Sequence, residues 1–286
     1  MIKKYFFSMM LVIFFFIIEK GQAQTDTVKY GWTHSLVSGL NLTQVSFINW
    51  QQGGDNSLAF AFGIIGSSIN DQRTTNWATN YKFAYGEAEL SDKGVRKTDD
   101  YIDIQTVFTY KLEQYINPYG SISFKSQFGP GYKYNNDSAN TRTAVSAFMD
   151  PGYLVEAVGL GFQPIKQLKT RVGLALKETF TNQYNIYSDD PATPAVEKTK
   201  VEGGVEWVTE AEIQLDDNIL YKSKLEVFAP FKTFTVMTAR WDNSIVAKVS
   251  KYINVNFGFL AIQDPVVTLR TQIKEGLALG LTYSVF

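Results

Sequence analysis

A single histidine, His34, and no cysteine in 286 residues leave this sequence few routes to covalent chemistry. A serine nucleophile needs a base beside it, and His34 is the one imidazole the chain has. It stands two residues after Trp32, where an interfacial or structural role outweighs catalysis. No phosphate-cradling glycine loop, zinc-type spacing or basic nucleic-acid patch occurs, so no catalytic residue, cofactor, metal or nucleic-acid partner is expected. Asp189 and Asp190 adjoin in a polar stretch, but without EF-hand spacing they read as a solvated loop before a calcium site.

The other chemistry-bearing residues are charges on alternate positions: Lys82, Asp103, Lys111, Lys125, Lys169, Arg171, Lys177, Glu206, Glu210, Glu212, Lys222, Lys224 and Glu226. Turned into a narrow barrel, such mixed signs form a solvated ion-pair lattice that fills the bore. They could equally line a selective pore, a basic strand near Arg171 and an acidic strand near Glu210 setting a transverse field across permeating solutes. Both readings need strands with this face inward.

Strands are what the chain offers. From Trp32 onward it alternates with period two in segments of roughly 9 to 14 residues, the reach of a tilted membrane strand with some overhang. Trp77, Thr79, Tyr81, Phe83 and Tyr85 share one face, and Asn76, Ala78, Asn80, Lys82, Ala84 and Gly86 the other. Ile102, Ile104, Phe108 and Tyr110 oppose Asp103, Gln105, Thr109 and Lys111, and Val205, Trp207, Ala211 and Ile213 oppose Glu206, Glu210 and Glu212. About twelve such segments predict an up-and-down antiparallel barrel, with 10 to 14 strands as the range. A soluble sandwich also alternates, so loop lengths must decide. Short links are predicted at Ser67 to Thr75, Glu113 to Pro118, Gln163 to Gln167, Asp216 to Asn218 and Ser250 to Tyr252. Long polar ones fall at Ser91 to Asp100, Lys133 to Asp150 and Thr181 to Lys200, with shorter links at Trp50 to Asn56 and Pro230 to Lys232. That alternation is the mark of an outer-membrane barrel with both termini in the periplasm.

The first 23 residues fit export: Lys3 and Lys4, an apolar stretch from Tyr5 to Ile18, then Gly21-Gln22-Ala23. They read as a signal peptide cut after Ala23, leaving residues 24–286 as the barrel domain. Removal of three lysines and Glu19 moves the formal charge from −1 to −3. No later apolar run could span a bilayer as a helix. The closing LALGLTYSVF puts Leu277, Leu279, Leu281, Tyr283 and Val285 on one face. It resembles the C-terminal signal read by the barrel-assembly machinery, although Phe286 is one residue out of phase.

Register offers a finer expectation. A three-residue turn at Asp216-Asp217-Asn218 sets Leu215 opposite Ile219, Glu212 opposite Lys222 and Glu210 opposite Lys224. A two-residue turn would put both lysines into lipid at about 2 to 4 kcal/mol each. Ser250-Lys251-Tyr252 similarly sets Ile245 opposite Phe257. Glu156, Glu178 and Glu275 interrupt apolar faces. They read as headgroup-level carboxylates or local bulges, ahead of a partner contact or a cation shared with lipid headgroups.

Three stretches carry a family resemblance: NLTQVSFINWQQGGDNSLA (Asn41 to Ala59), PGYLVEAVGLGFQP (Pro151 to Pro164) and GLALGLTYSVF. They resemble domain of unknown function 3078, exported proteins of Bacteroidota, most specifically in a Trp-x-x-Gly-Gly element formed here by Trp50, Gly53 and Gly54. With Gln51, Asp55 and Asn56 this element would join the first two strands as an outer turn, its polar side chains folding over the barrel mouth. The resemblance implies an outer-membrane setting and supplies no catalytic residues. The expected protein is a non-enzymatic barrel in the lipid bilayer, a pore or transporter for small polar solutes. Its alternative is a closed barrel serving a larger outer-membrane complex as accessory subunit, and its remote alternative a lipid hydrolase.

Overall fold

Alternating side chains separated by turn residues dictate a meander of hairpins. The computed structural model of the chain, which describes residues 30–45, 57–90, 94–134, 141–234 and 236–284, shows that meander closed on itself. The predicted signal peptide at residues 1–23, the Trp50 to Asn56 element and Phe286 lie outside the described residues. Twelve strands form the wall: β1 (Gly31–Val45), β2 (Ser57–Asp71), β3 (Thr75–Leu90), β4 (Gly94–Tyr110), β5 (Ile116–Ser126), β8 (Gly152–Ile165), β9 (Leu168–Phe180), β10 (Thr199–Asp216), β11 (Ile219–Pro230), β12 (Thr238–Lys248), β13 (Ile253–Asp264) and β14 (Thr268–Ser284). A small hairpin, β6 (Gly131–Tyr134) and β7 (Arg142–Ser146), occupies the β5–β8 connection. Neighbouring wall strands pair antiparallel, and β1 meets β14 to close the ring. The fold is a transmembrane up-and-down β-barrel of the predicted strand number.

The wall is inside out relative to a water-soluble domain. Leu58, Phe60, Phe62, Trp77, Phe108, Ile122, Val158 and Leu174 are exposed on its outer surface, a continuous apolar belt that only lipid covers without cost. Three indole N–H groups on this face are satisfied locally, as a medium without water favours. The Trp77, Trp207 and Trp241 indoles donate to Thr106, Thr170 and Ser223 on adjacent strands at 2.7, 2.9 and 3.0 Å.

One end of the barrel carries the short turns, 72–74, 111–115, 166–167, 217–218 and 249–252, together with the start of β1 and the end of β14. The other end carries the longer 127–151, 181–198 and 231–237 connections and the short 265–267 turn. Two links are shorter than their composition predicts. Residues 94–100 belong to β4 instead of a loop: Lys97 and Arg96 pair with Glu87 and Ala88 past a bulge at Gly86 and Glu87. Here a strand continues above the apolar belt, where polar residues imitate a loop. Likewise Ser67 to Asp71 stay in β2, with Ser67 opposite Asn80 and Ser68 opposite Thr79.

The β10–β11 hairpin keeps the predicted register by another route. Glu212 faces Lys222 and Glu210 faces Lys224, but Asp216, not Leu215, faces Ile219. The turn is the two residues 217–218, and Leu215 is the extra residue of a bulge between Gln214 and Asp216. The bulge absorbs the residue that a three-residue turn would have held, so the wall above it is unchanged. At the β12–β13 turn Ile245 faces Phe257 as expected.

Glu156, Glu178 and Glu275 face Leu176, Leu154 and Phe259 on the outer surface. Pairing runs through all three without a bulge. Glu156 lies nine residues above Ile165, Glu178 ten above Leu168 and Glu275 nine above Ser284. They share one level toward the long-loop end, where a carboxylate on the lipid face costs about 0 to 1 kcal/mol.

Candidate functional site

Because side chains alternate across each strand, one face of every hairpin turns inward. Contacts across the ring then identify it. Lys82 on β3 reaches Asp242 on β12 at 3.2 Å, although β2, β1, β14 and β13 stand between those strands in the wall. Lys125 on β5 bonds Glu226 on β11, and Lys224 on β11 donates to Gln105 on β4 at 3.1 Å. Three bridges therefore cross the lumen.

These bridges belong to one network. Glu226 also takes Lys224 at 2.8 Å, Lys125 lies 4.0 Å from Asp103, and Asp242 lies 3.9 Å from Arg240. On the adjoining wall buried Arg171 stands between Glu206 at 3.4 Å and Glu210 at 3.6 Å. Lys169 faces Glu210 across β9 and β10. Lys222 pairs with Glu212 at 3.1 Å, and Lys111 with Asp71 at 2.6 Å near the short-turn end. Lys177 lies 5.5 Å from the centres of both the Tyr153 and Phe228 rings, a cation–π position.

All thirteen charges read from the sequence thus fall on this inner network or its margins. The predicted transverse field does not arise from the pairing seen, because β9 and β10 are neighbours. Arg171, Glu206 and Glu210 neutralise one another along one side of the wall, and the charges that face across the bore neutralise each other by contact. Sequence reasoning set Gln105 on the inward face but missed Asp242, the far end of the Lys82 bridge, and Arg240 beside it. Their signal was present in parity, since Asp242 and Arg240 flank outward Trp241.

The inner surface is lopsided. Inward charges are most numerous on β4, β5 and β9–β12, whereas β1–β3, β13 and β14 turn mainly uncharged residues inward, with Asp71, Lys82, Asp264 and Lys274 among the exceptions. A Cβ built on Gly258 or Gly276 would meet nothing within 4 Å. Free space lies along this side.

The long-loop end is tied down by carboxylates that accept backbone N–H groups. Asp150 takes Gln183 at 2.7 Å, joining the hairpin connection to the 181–198 loop. Asp100 takes Phe128 and Gly129 at 2.7 and 2.9 Å and also holds Lys97 at 2.7 Å. Lys274 on β14 spans the mouth to Asp99 on β4 at 2.5 Å. In the 181–198 loop Asp189 and Asp190 accept the Glu197 and Ala192 amides at 3.0 Å each, so both carboxylates shape the loop. The Thr193 hydroxyl and the Asp190 amide bond the Glu197 carboxylate and pull its pKa down to about 2.

His34 sits on the outer face, not in the lumen. Its ring stacks on Trp32 with centroids 5.6 Å apart, and Nδ1 lies 2.9 Å from Ser68 Oγ on β2. An open apolar hollow of about 750 Å³ on the outer surface, between Trp77 and Leu174, faces the same lipid side.

A closed wall, an apolar belt and a charged interior define the class: a membrane-spanning β-barrel of the outer-membrane type. Residues 42–132 match the model of the family described as "Protein of unknown function (DUF3078)". That match includes the Trp50 to Asn56 element, while the Pro151 to Pro164 and C-terminal stretches lie beyond it. No curated protein matches the chain. Among solved structures it is similar to the COG4313 outer membrane channel from Pseudomonas putida F1, with 11% identity, coverage of 93% of this chain and 99% of that one, and a TM-score of 0.39. It is also similar to the translocator domain of autotransporter NalP from Neisseria meningitidis, with 10% identity, 90% of each chain covered and a TM-score of 0.35. The NanC porin is similar at 9% identity over 88% of this chain and 98% of its own, with a TM-score of 0.37.

Proposed function

We propose that this protein is a non-enzymatic outer-membrane pore for small polar solutes, constricted at mid-height by the Lys82–Asp242 and Lys125–Glu226 bridges. The observation that carries the reading is the division of the lumen into a charged side and a less charged side that is open at Gly258 and Gly276. A solute moving along the open wall exchanges water for contacts with side chains that already pair with each other. Binding is then weak enough to release, as conduction requires. Residues 1–23 act as the signal peptide, the mature chain enters the bilayer through the barrel-assembly machinery, and both termini are periplasmic. Liposomes carrying folded protein are expected to release a small neutral sugar while retaining a large dextran. No release from folded protein would overturn the pore.

The cross-lumen bridges favour a second reading, a closed barrel acting as accessory subunit of a larger outer-membrane complex. It predicts a stoichiometric partner in mild detergent and no solute release. A hydrolase would need Ser68 to react as a nucleophile beside His34. We expect no labelling of Ser68 by a fluorophosphonate, and labelling lost in Ser68→Ala would contradict the non-enzymatic reading.

A further inference from the structure

Among the described residues, the seam that closes the barrel is shorter than every other seam in its wall. β1 and β14 pair at five positions, from Val37 opposite Ser284 to Asn41 opposite Gly280. The shortest of the remaining wall seams, β4 with β5, has eight, and β1 with β2 has fifteen. Continued in register, Leu42 would face Leu279, Thr43 would face Ala278, Gln44 would face Leu277 and Val45 would face Gly276. None of these pairs forms. The strands themselves persist there: β2 pairs with β1 up to Val45, and β13 pairs with β14 through Gly276 to Leu279.

An unpaired backbone group in hydrocarbon has no water to bond, so non-bonded backbone at membrane depth persists only where it is buried in protein or lines a wet cavity. The lumen supplies that cavity on this side. Gly276 borders the gap, its cross-strand partner is Gly258, and both open onto unfilled space. The outer surface of the gap is apolar, with Leu42, Leu277 and Leu279 each more than 60% exposed. The gap therefore joins water on one side to lipid on the other. The Lys82–Asp242 bridge spans the arc of wall that contains this seam, and Asn41 packs over Gly280 at the lower limit of the gap.

We propose that this gap is a lateral portal through which the apolar tail of a small amphiphile passes between lumen and bilayer, while its polar head remains with the inner charged wall. The proposal rests on the pore reading and narrows its solutes to amphiphiles. Residues 42–45 and 276–279 form the rim, and the five paired rows below form the hinge.

Absence of native cysteine makes the test direct. In Leu42→Cys/Leu279→Cys, oxidation would zip the gap. Leu40→Cys/Leu281→Cys, two rows down on the same face, joins residues already paired and serves as control. The probes are a fluorescent sulfonate bearing a decyl tail and the same sulfonate without it, in proteoliposomes. Oxidised Leu42→Cys/Leu279→Cys is expected to lose transfer of the tailed probe into the bilayer, to regain it with reductant, and to pass the tailless probe throughout. The control pair should transfer both. Undiminished tailed-probe transfer through the oxidised pair would overturn the portal. Hydrogen exchange gives an independent reading without substitution: amides of Leu42 to Val45 should exchange faster than those of Val37 to Asn41, and equal protection would also overturn it. In the unmodified protein, loss of flux of both probes would remove the pore and the portal with it, whereas tailless flux without transfer of the tailed probe would keep the pore and overturn the portal alone.

Discussion

Arg171 is the buried cation of the lumen wall, and its two acidic neighbours make a quantitative test. Both side chains of the Arg171–Glu206 contact are only 10% exposed, so removing one partner leaves a charge in a medium that solvates it poorly. Glu206→Ala should destabilise the barrel by about 3 kcal/mol, with Glu210 at 3.6 Å offering partial compensation. The same substitution in Arg171→Met should cost far less, which urea titration in detergent would measure; equal costs would mean that the pair is not coupled. These residues were legible in the sequence because Arg171, Glu206 and Glu210 alternate with apolar neighbours. Their partners were not. Whether Lys82 ends on Asp103, its neighbour across one seam, or on Asp242 across the bore depends on the diameter and shape of the closed ring. Parity carries no information about either.

Two elements give tests of their own. In the β10–β11 hairpin, Leu215 is accommodated in the bulge, so its deletion should preserve folding and the Glu212–Lys222 contact. Deleting Ser223 instead would put Lys222 and Lys224 on opposite faces, and the lysine turned to the lipid would cost about 2 to 4 kcal/mol. Heat-modifiable gel mobility distinguishes them: the first variant should migrate as a folded barrel and the second should not. In the 181–198 loop, the Glu197 carboxylate carries the pH dependence. Its pKa in the folded loop, about 2, lies below the ordinary 4.5, so its contribution is full above 4.5 and is lost as pH falls toward 2. A side-chain carbon titration by NMR should find a midpoint near 2, moved toward 4.5 in Thr193→Ala; an ordinary midpoint in the native chain would contradict the Thr193 contact. Strand existence and number were readable from alternation, but ends were less so. Residues 94–100 look like loop because a strand above the lipid belt has no apolar face to declare it. The Leu215 bulge was hidden because turn and bulge place the lysines identically.

At the scale of the whole molecule, composition, alternation and loop asymmetry by themselves point to a membrane barrel. The lopsided lumen and the short β1–β14 seam did not announce themselves, because both depend on which strands become neighbours or opposites when the sheet closes. The pore account places the constriction at contacts between opposite walls, so widening it is the most direct trial. Single-channel recording in planar bilayers, comparing native protein with Lys82→Ala/Asp242→Ala, tests it. The account predicts small, resolvable steps for the native barrel and larger ones for the variant. Silence from both, in protein shown to be folded by its gel mobility, would contradict the pore and leave a closed barrel.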